Sequence, residues 1–148
     1  MNPIVCKFGG SSLADGTNIL KVCDILKSNP QRKYVVVSAP GKRFSGDIKV
    51  TDLLYQCFRE ATEKGDCSET FAKIRKRFTS IVEELGMTGF DIASILDETE
   101  KQIDEQRSAD FTASRGEYLN ARIIAAKLGW TFVDAKDIIF FNESGALD

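Results

Sequence analysis

Apolar positions along the chain follow two periods, and each period predicts its own elements. Ile4 to Phe8 is a short apolar run stopped by Gly9-Gly10, the pattern of a strand. Ile19, Val22, Cys23 and Leu26 then recur at i, i+3, i+4 and i+7, one face of a helix. Asn29-Pro30 ends that helix, and Ser11 or Ser12 is available to cap its start. Tyr34-Val35-Val36-Val37 is a β-branched run ending at Ser38-Ala39-Pro40-Gly41. Strand, helix and second buried strand predict a crossover and a parallel sheet. Residues 40–50 have no period and read as a surface loop. Three helical stripes follow: Leu54, Cys57, Phe58 and Ala61; then Phe71, Ile74, Phe78, Ile81, Val82 and Leu85; then Ile92, Ile95, Leu96, Thr99 and Ile103. Gly65 and Gly86 separate them. A further helix is predicted from about Thr112 to Leu128, with Gly129 as its stop. Trp130 to Val133 and Ile138 to Phe141 read as a third and a fourth strand. Asn142-Glu143-Ser144-Gly145 reads as a turn towards a hairpin partner that has barely begun at Asp148. The order βαβ, helices, αβ predicts the α/β class.

Composition narrows the chemistry. Ten Phe and 43% hydrophobic residues argue against disorder, and a net charge of −2 argues against a basic nucleic-acid binder. There is no histidine, so Ser-His, Cys-His and His-metal chemistry cannot operate within this chain. Carboxylates, lysines or electrostatics remain. Cys6, Cys23, Cys57 and Cys67 form no C-x-x-C or zinc spacing and read as small hydrophobes in a reducing compartment. The N-terminus lacks signal-peptide features, and no apolar stretch approaches the ~18 residues of a membrane span. A cytoplasmic location without a membrane partner is the expectation. Lys73, Arg75, Lys76 and Arg77, and Asp97, Glu98, Glu100, Asp104 and Glu105, read as solvated faces of two helices that attract each other across a hairpin.

Three segments could carry chemistry. Lys7-Phe8-Gly9-Gly10-Ser11-Ser12 lies where the first strand hands over to the first helix. Ligands of open α/β sheets bind outside the carboxyl ends of strands. Two glycines let backbone N–H groups approach an anion, the helix start favours phosphate, and Lys7 and the serines add charge and hydroxyls. A tight strand-to-helix turn explains the same residues without a ligand. The segment is neither a Walker A loop nor a G-x-G-x-x-G fingerprint. The second segment is Ser38 to Gly41, with Thr51-Asp52 opening the next helix, where Thr51 could be a plain N-cap. The third is Ser114-Arg115-Gly116-Glu117. Ser-x-x-Glu matches a capping box, but Gly116 costs roughly 1 kcal/mol in a helix against alanine. Close approach of another backbone or a ligand would explain it. Arg115 and Glu117 flank it as a charged pair suited to a zwitterion.

Together, Lys-Phe-Gly-Gly-Ser-Ser, Val-Val-Val-Ser-Ala, Thr-Asp-Leu-Leu and Ser-Arg-Gly-Glu, in this order, resemble the aspartokinases of the amino acid kinase superfamily. Val133-Asp134-Ala135-Lys136-Asp137-Ile138-Ile139 is similar to a further element of that family. The resemblance implies the three-layer αβα sandwich of the carbamate kinase-like type, with a mostly parallel sheet and a helical insertion at about 52–107. It implies transfer of the γ-phosphoryl of ATP to the β-carboxylate of L-aspartate, the first step towards lysine, threonine and methionine. Lys7 would neutralise the transferring phosphoryl. Gly9, Gly10 and Ser11 would line the phosphate pocket. Ser38, Thr51 and Glu117 would bind aspartate, Glu117 facing its ammonium, with Arg115 a weaker candidate. Mg²⁺ would arrive with the nucleotide, with no protein metal ligand assigned. A homodimer or larger assembly of the full-length protein is implied too. Ser11 departs from the family's more frequent Thr, and the loop before Thr51 is longer than in the shortest members. The family's domain also continues beyond 148 residues, into a second glycine-rich segment, the adenine pocket and regulatory ACT domains. The expectation is therefore the N-terminal part of a kinase domain, inactive by itself. A non-catalytic binding module on the same fold, or a sister kinase with another acceptor, are the alternative readings.

Overall fold

A computed structural model describes residues 2–148. Strand β1 (Ile4–Phe8) pairs in parallel with β2 (Arg32–Val37) through the intervening helix α1 (Gly16–Lys27). Helices α2 (Val50–Lys64), α3 (Ser68–Glu84), α4 (Ile92–Gln106) and α5 (Ala109–Leu128) follow. Period-two alternation gives the sheet two unlike faces. Cys6, Phe8, Val35 and Val37 pack towards the helices. Val5, Lys7, Tyr34 and Val36 lie on the opposite, exposed face.

The helical stripes form one core. Leu54, Cys57, Ala61, Phe71, Ile74, Phe78, Ile81, Leu96 and Ile103 are buried together, with Leu119, Ile123 and Ile124 from α5. Gly65 and Gly129 end α2 and α5 in the left-handed conformation, φ 78° and 70°, as their positions in the sequence predict. The opposed charge clusters of α3 and α4 do meet, since Arg75 bridges Asp97 (2.8 Å) and Glu100 (3.0 Å).

Several expectations are corrected. Residues 130–133 and 138–141 form no strand. A strand is stable only with a ladder partner, and these segments find none in the two-stranded sheet. Phe132 instead packs edge-on against Tyr118, at 5.6 Å between ring centroids, and Val133, Ile138, Phe140 and Phe141 are exposed. The predicted turn does form: Phe141 bridges Leu147 antiparallel, and Asn142 Oδ1 accepts the Ser144 and Ala146 amides.

Helix starts also move. Gly10–Leu13 is a 3-10 turn, and α1 is capped by Asp15, which accepts the Asn18 amide, rather than by Ser11 or Ser12. Lys49, not Thr51, is the N-cap residue of α2. Ser108 caps α5, so Ser114 and Glu117 lie one turn and more inside it and form no capping box. Packing extends α2 and α5 upstream of their expected starts, whereas α1 begins later, after the 3-10 turn.

Candidate functional site

The carboxyl ends of β1 and β2 carry two loops that touch through glycine. The Gly41 amide donates to the Gly10 carbonyl at 2.9 Å. A Cβ on Gly41 would sit 2.7 Å from the Gly10 carbonyl carbon, and one on Gly10 would lie 3.0 Å from the Ala39 carbonyl oxygen. Both glycines are therefore required by contact between the loops. Gly9 differs. Its φ of −82° suits any residue, and a Cβ there would meet nothing within 4 Å. Neither backbone conformation nor packing calls for glycine at this position.

Helix α5 reaches the same edge. A Cβ on Gly116 would lie 2.6 Å from the Ala39 Cβ and 3.3 Å from Leu54 Cδ1. The oddity of a helical glycine is thus resolved as close packing of α5 on the end of β2 and on α2. One turn later, Asn120 Nδ2 donates to the Ser38 carbonyl at 2.8 Å. Asn120 is fully buried and no motif pointed to it, because a single Asn at helical spacing carries no separate signal. Ser38 also donates its amide to the Phe8 carbonyl, closing the ladder at the strand ends.

The structure therefore brings Gly9 to Ser11, Ser38 to Gly41, the start of α2 beside Thr51, and residues 116–120 onto one edge. Thr51 is half-buried and Glu117 is exposed. Lys7 is exposed on the helix-free face, and no ion pair among the described residues includes it. Arg115 goes elsewhere. Its guanidinium lies 4.3 Å from the Phe111 ring centroid and 4.2 Å from that of Tyr118, and donates to Ser114 Oγ. Burial lowers its pKa. Arg115 and Glu117 form no ion pair with each other, and the Arg115 guanidinium is held between two aromatic rings.

The electrostatics of the edge differ from expectation in one more way. The start of α1 is not open to an anion. The Glu84 carboxylate accepts the Gly16 amide at 2.7 Å, and Asp15 caps beside it. The helix dipole there is already matched by two carboxylates. Any phosphate cradle is thus confined to the 3-10 turn, where the Gly10 and Ser11 amides have no acceptor among the described residues. A shallow groove lined by Leu26, Lys27, Pro30, Arg32 and Trp130 lies at the opposite end of β2 and holds none of these residues.

The loop after Gly41 is stapled rather than loose. Asp47 accepts the Arg43 amide (3.0 Å), Nε (2.7 Å) and Nη2 (2.9 Å). The Arg43 hydrogen bonds hold the Asp47 carboxyl far below its ordinary value of 3.8. A depressed pKa stabilises the fold above the ordinary carboxylate value, and that contribution disappears as pH falls towards the folded one. The thermal midpoint of Asp47→Asn is accordingly expected to lie below that of the unaltered chain at neutral pH. The gap should begin to narrow below about pH 4 and go on narrowing as pH falls towards the folded value. A gap independent of pH would refute this role for the charge.

Residues 2–144 match the family described as the amino acid kinase family. The chain belongs to the amino acid kinase family. The aspartate kinase of Clostridium acetobutylicum is 45% identical, and superposes with a TM-score of 0.96 over 100% of this chain and 34% of its own. Aspartokinase 3 of Bacillus subtilis is 38% identical over 95% of this chain and 34% of its length. The chain spans about a third of the length of these relatives. Escherichia coli aspartokinase III, in complex with aspartate and ADP, is 24% identical over 86% of this chain and 29% of its own, with a TM-score of 0.65, and shares the fold. The α/β class and the family read from the motifs are borne out. No described helix of this kinase-family chain is long and apolar enough to cross a membrane.

Proposed function

We propose that this chain contributes the β1–β2 edge of an aspartate kinase active site, where ATP donates its γ-phosphoryl to the β-carboxylate of L-aspartate. The observation that carries the reading is Gly9: a glycine with ordinary backbone angles and open space at its missing Cβ, beside the acceptor-free amides of Gly10 and Ser11. A phosphate chain seated on the turn explains why that space is kept empty. The names of the Clostridium and Bacillus relatives point to aspartate as the acceptor.

In this reading the chain's own groups do electrostatic work. Gly9, Gly10 and Ser11 hold the phosphates through amides and a hydroxyl, and Lys7 neutralises charge on the transferring group. Ser38, Thr51 and Glu117 orient aspartate, Glu117 meeting its ammonium. Arg115 supports the aromatic packing of α5 and is left out of the substrate contacts. No general base is required, because the attacking carboxylate is ionised at neutral pH. Mg²⁺ accompanies the nucleotide. A cytoplasmic location and a dimeric or larger assembly belong to the same reading.

The test exploits the empty space. Gly9→Ala is expected to leave the thermal midpoint of the 148-residue chain unchanged, since the added methyl touches nothing inside it. In a chimera of residues 1–148 with the remaining two-thirds of the Clostridium enzyme, the same change should raise the KM for ATP at least about tenfold, through lost amide contacts to charged oxygens. The 148-residue chain alone should show negligible turnover in a coupled assay with ATP, Mg²⁺ and aspartate. An unaltered KM for ATP in Gly9→Ala would refute the phosphate turn.

A further inference from the structure

Helix α3 carries an arginine that the phosphate reading does not use. Arg77 is only 5% exposed. Its Nη2 donates to the carbonyls of Gly41 (2.7 Å) and Ala14 (3.1 Å), and its Nη1 to the carbonyl of Ile48 (3.0 Å) and to Asp47 Oδ2 (3.4 Å). These acceptors belong to three separate segments. Ala14 follows the 3-10 turn, Gly41 follows β2, and Asp47 and Ile48 form the returning arm of the 42–49 loop.

The solvated basic face expected for residues 73–77 is therefore corrected at this position. Arg77 stands three residues after Ile74 and four before Ile81, inside the apolar stripe. Thr70, Arg77 and Glu84 follow one another at heptad spacing along one edge of α3, and each makes a long-range polar contact. Thr70 donates to Glu60, Arg77 reaches the loops, and Glu84 accepts the Gly16 amide.

We propose that Arg77 is a positioning residue. Its guanidinium ties the Gly9–Leu13 turn to the 41–49 loop, so that the affinity of the turn for a phosphate chain depends on an arginine that never touches it. Coupling runs through Gly41, whose carbonyl accepts from Arg77 and whose amide donates to Gly10. The planar guanidinium fork can serve acceptors from several segments at once, whereas an ammonium is a point donor that would leave buried carbonyls unpaired. Asp47 supplies the compensating charge, held in place by Arg43. This inference rests on the phosphate reading of the turn, and the experiment separates the two.

The 148-residue chain, Arg77→Lys, Arg77→Met and the control Phe78→Leu are compared by amide hydrogen exchange and by NMR titration with inorganic tripolyphosphate. Phe78 is buried on the same helix, and its shortening disturbs the core without removing any bond to the loops. In Arg77→Lys, exchange at the Gly41 and Asp47 amides is expected to accelerate at least roughly tenfold relative to the Ile123 amide. Tripolyphosphate affinity, read at Gly9 to Ser11, should fall at least roughly tenfold as well. Phe78→Leu should lower the thermal midpoint and change neither. Arg77→Met should match or exceed the lysine variant. Wild-type behaviour of both loops in Arg77→Lys, or equal changes in Phe78→Leu, would overturn the proposal. If the unaltered chain shows no tripolyphosphate response at the turn, the phosphate reading fails, and the exchange comparison alone decides whether Arg77 positions the loops.

Discussion

Lys7→Ala, in the chimera that joins residues 1–148 to the remainder of the Clostridium relative, is expected to lower kcat for aspartate phosphorylation by roughly 10²–10³. The KM for aspartate should move little. Charge accumulates on the equatorial oxygens of the transferring phosphoryl, and a positioned ammonium stabilises that charge more in the transition state than in bound ATP. Losing it removes a contribution made mainly at the top of the barrier, so kcat and kcat/KM fall together. The fold should not notice. Lys7 is exposed and joins no ion pair among the described residues, so the stability of the 148-residue chain should change by no more than about 0.5 kcal/mol. A rise in KM for aspartate with kcat intact would assign Lys7 to ground-state binding of the acceptor instead.

Gly116→Val acts in the opposite way, on the fold first. The new Cβ would stand 2.6 Å from the Ala39 Cβ and 3.3 Å from Leu54 Cδ1, and neither neighbour is the loose end of a long side chain. Overpacking of this kind costs typically 1–3 kcal/mol, and the branched side chain extends the clash. A loss of about 3 kcal/mol is expected, which for a chain of this size lowers the thermal midpoint by roughly 6–12 °C. Helix propensity alone predicts the reverse, since valine is the better helix former. The sign of the change therefore decides between local preference and close packing. Gly89→Ala is a suitable control, because a Cβ at Gly89 meets nothing within 4 Å. Spread of α5 away from Ala39 would also shift Glu117 from the edge that holds Ser38.

The helices were legible because their signal is local. An apolar stripe at 3.6-residue spacing needs only a core to face, and every fully apolar stripe found one. The βα turn, the loop after β2 and Gly116 were likewise legible as oddities: glycines and hydroxyls where regular structure does not ask for them. Their resemblance to one family supplied the chemistry that the zero histidine count had only narrowed.

Contacts between distant segments were not legible. Trp130 to Val133 and Ile138 to Phe141 have strand composition, but a strand is a property of a pair, and no partner edge accepts them. Arg77 looked like one cation among four until the fold set carbonyls from three segments around its guanidinium. Gly10 and Gly9 are neighbours of identical type, yet loop packing demands the first, and the second faces open space. The sequence by itself determined the α/β class, the helical faces and the family. Tertiary structure alone decided which glycines pack and which face open space, which arginines are buried, and that α1 starts under two carboxylates. The physical reason is one of range: periodicity and turn chemistry act over a few residues, whereas burial and hydrogen-bond partnership depend on chain brought together from afar.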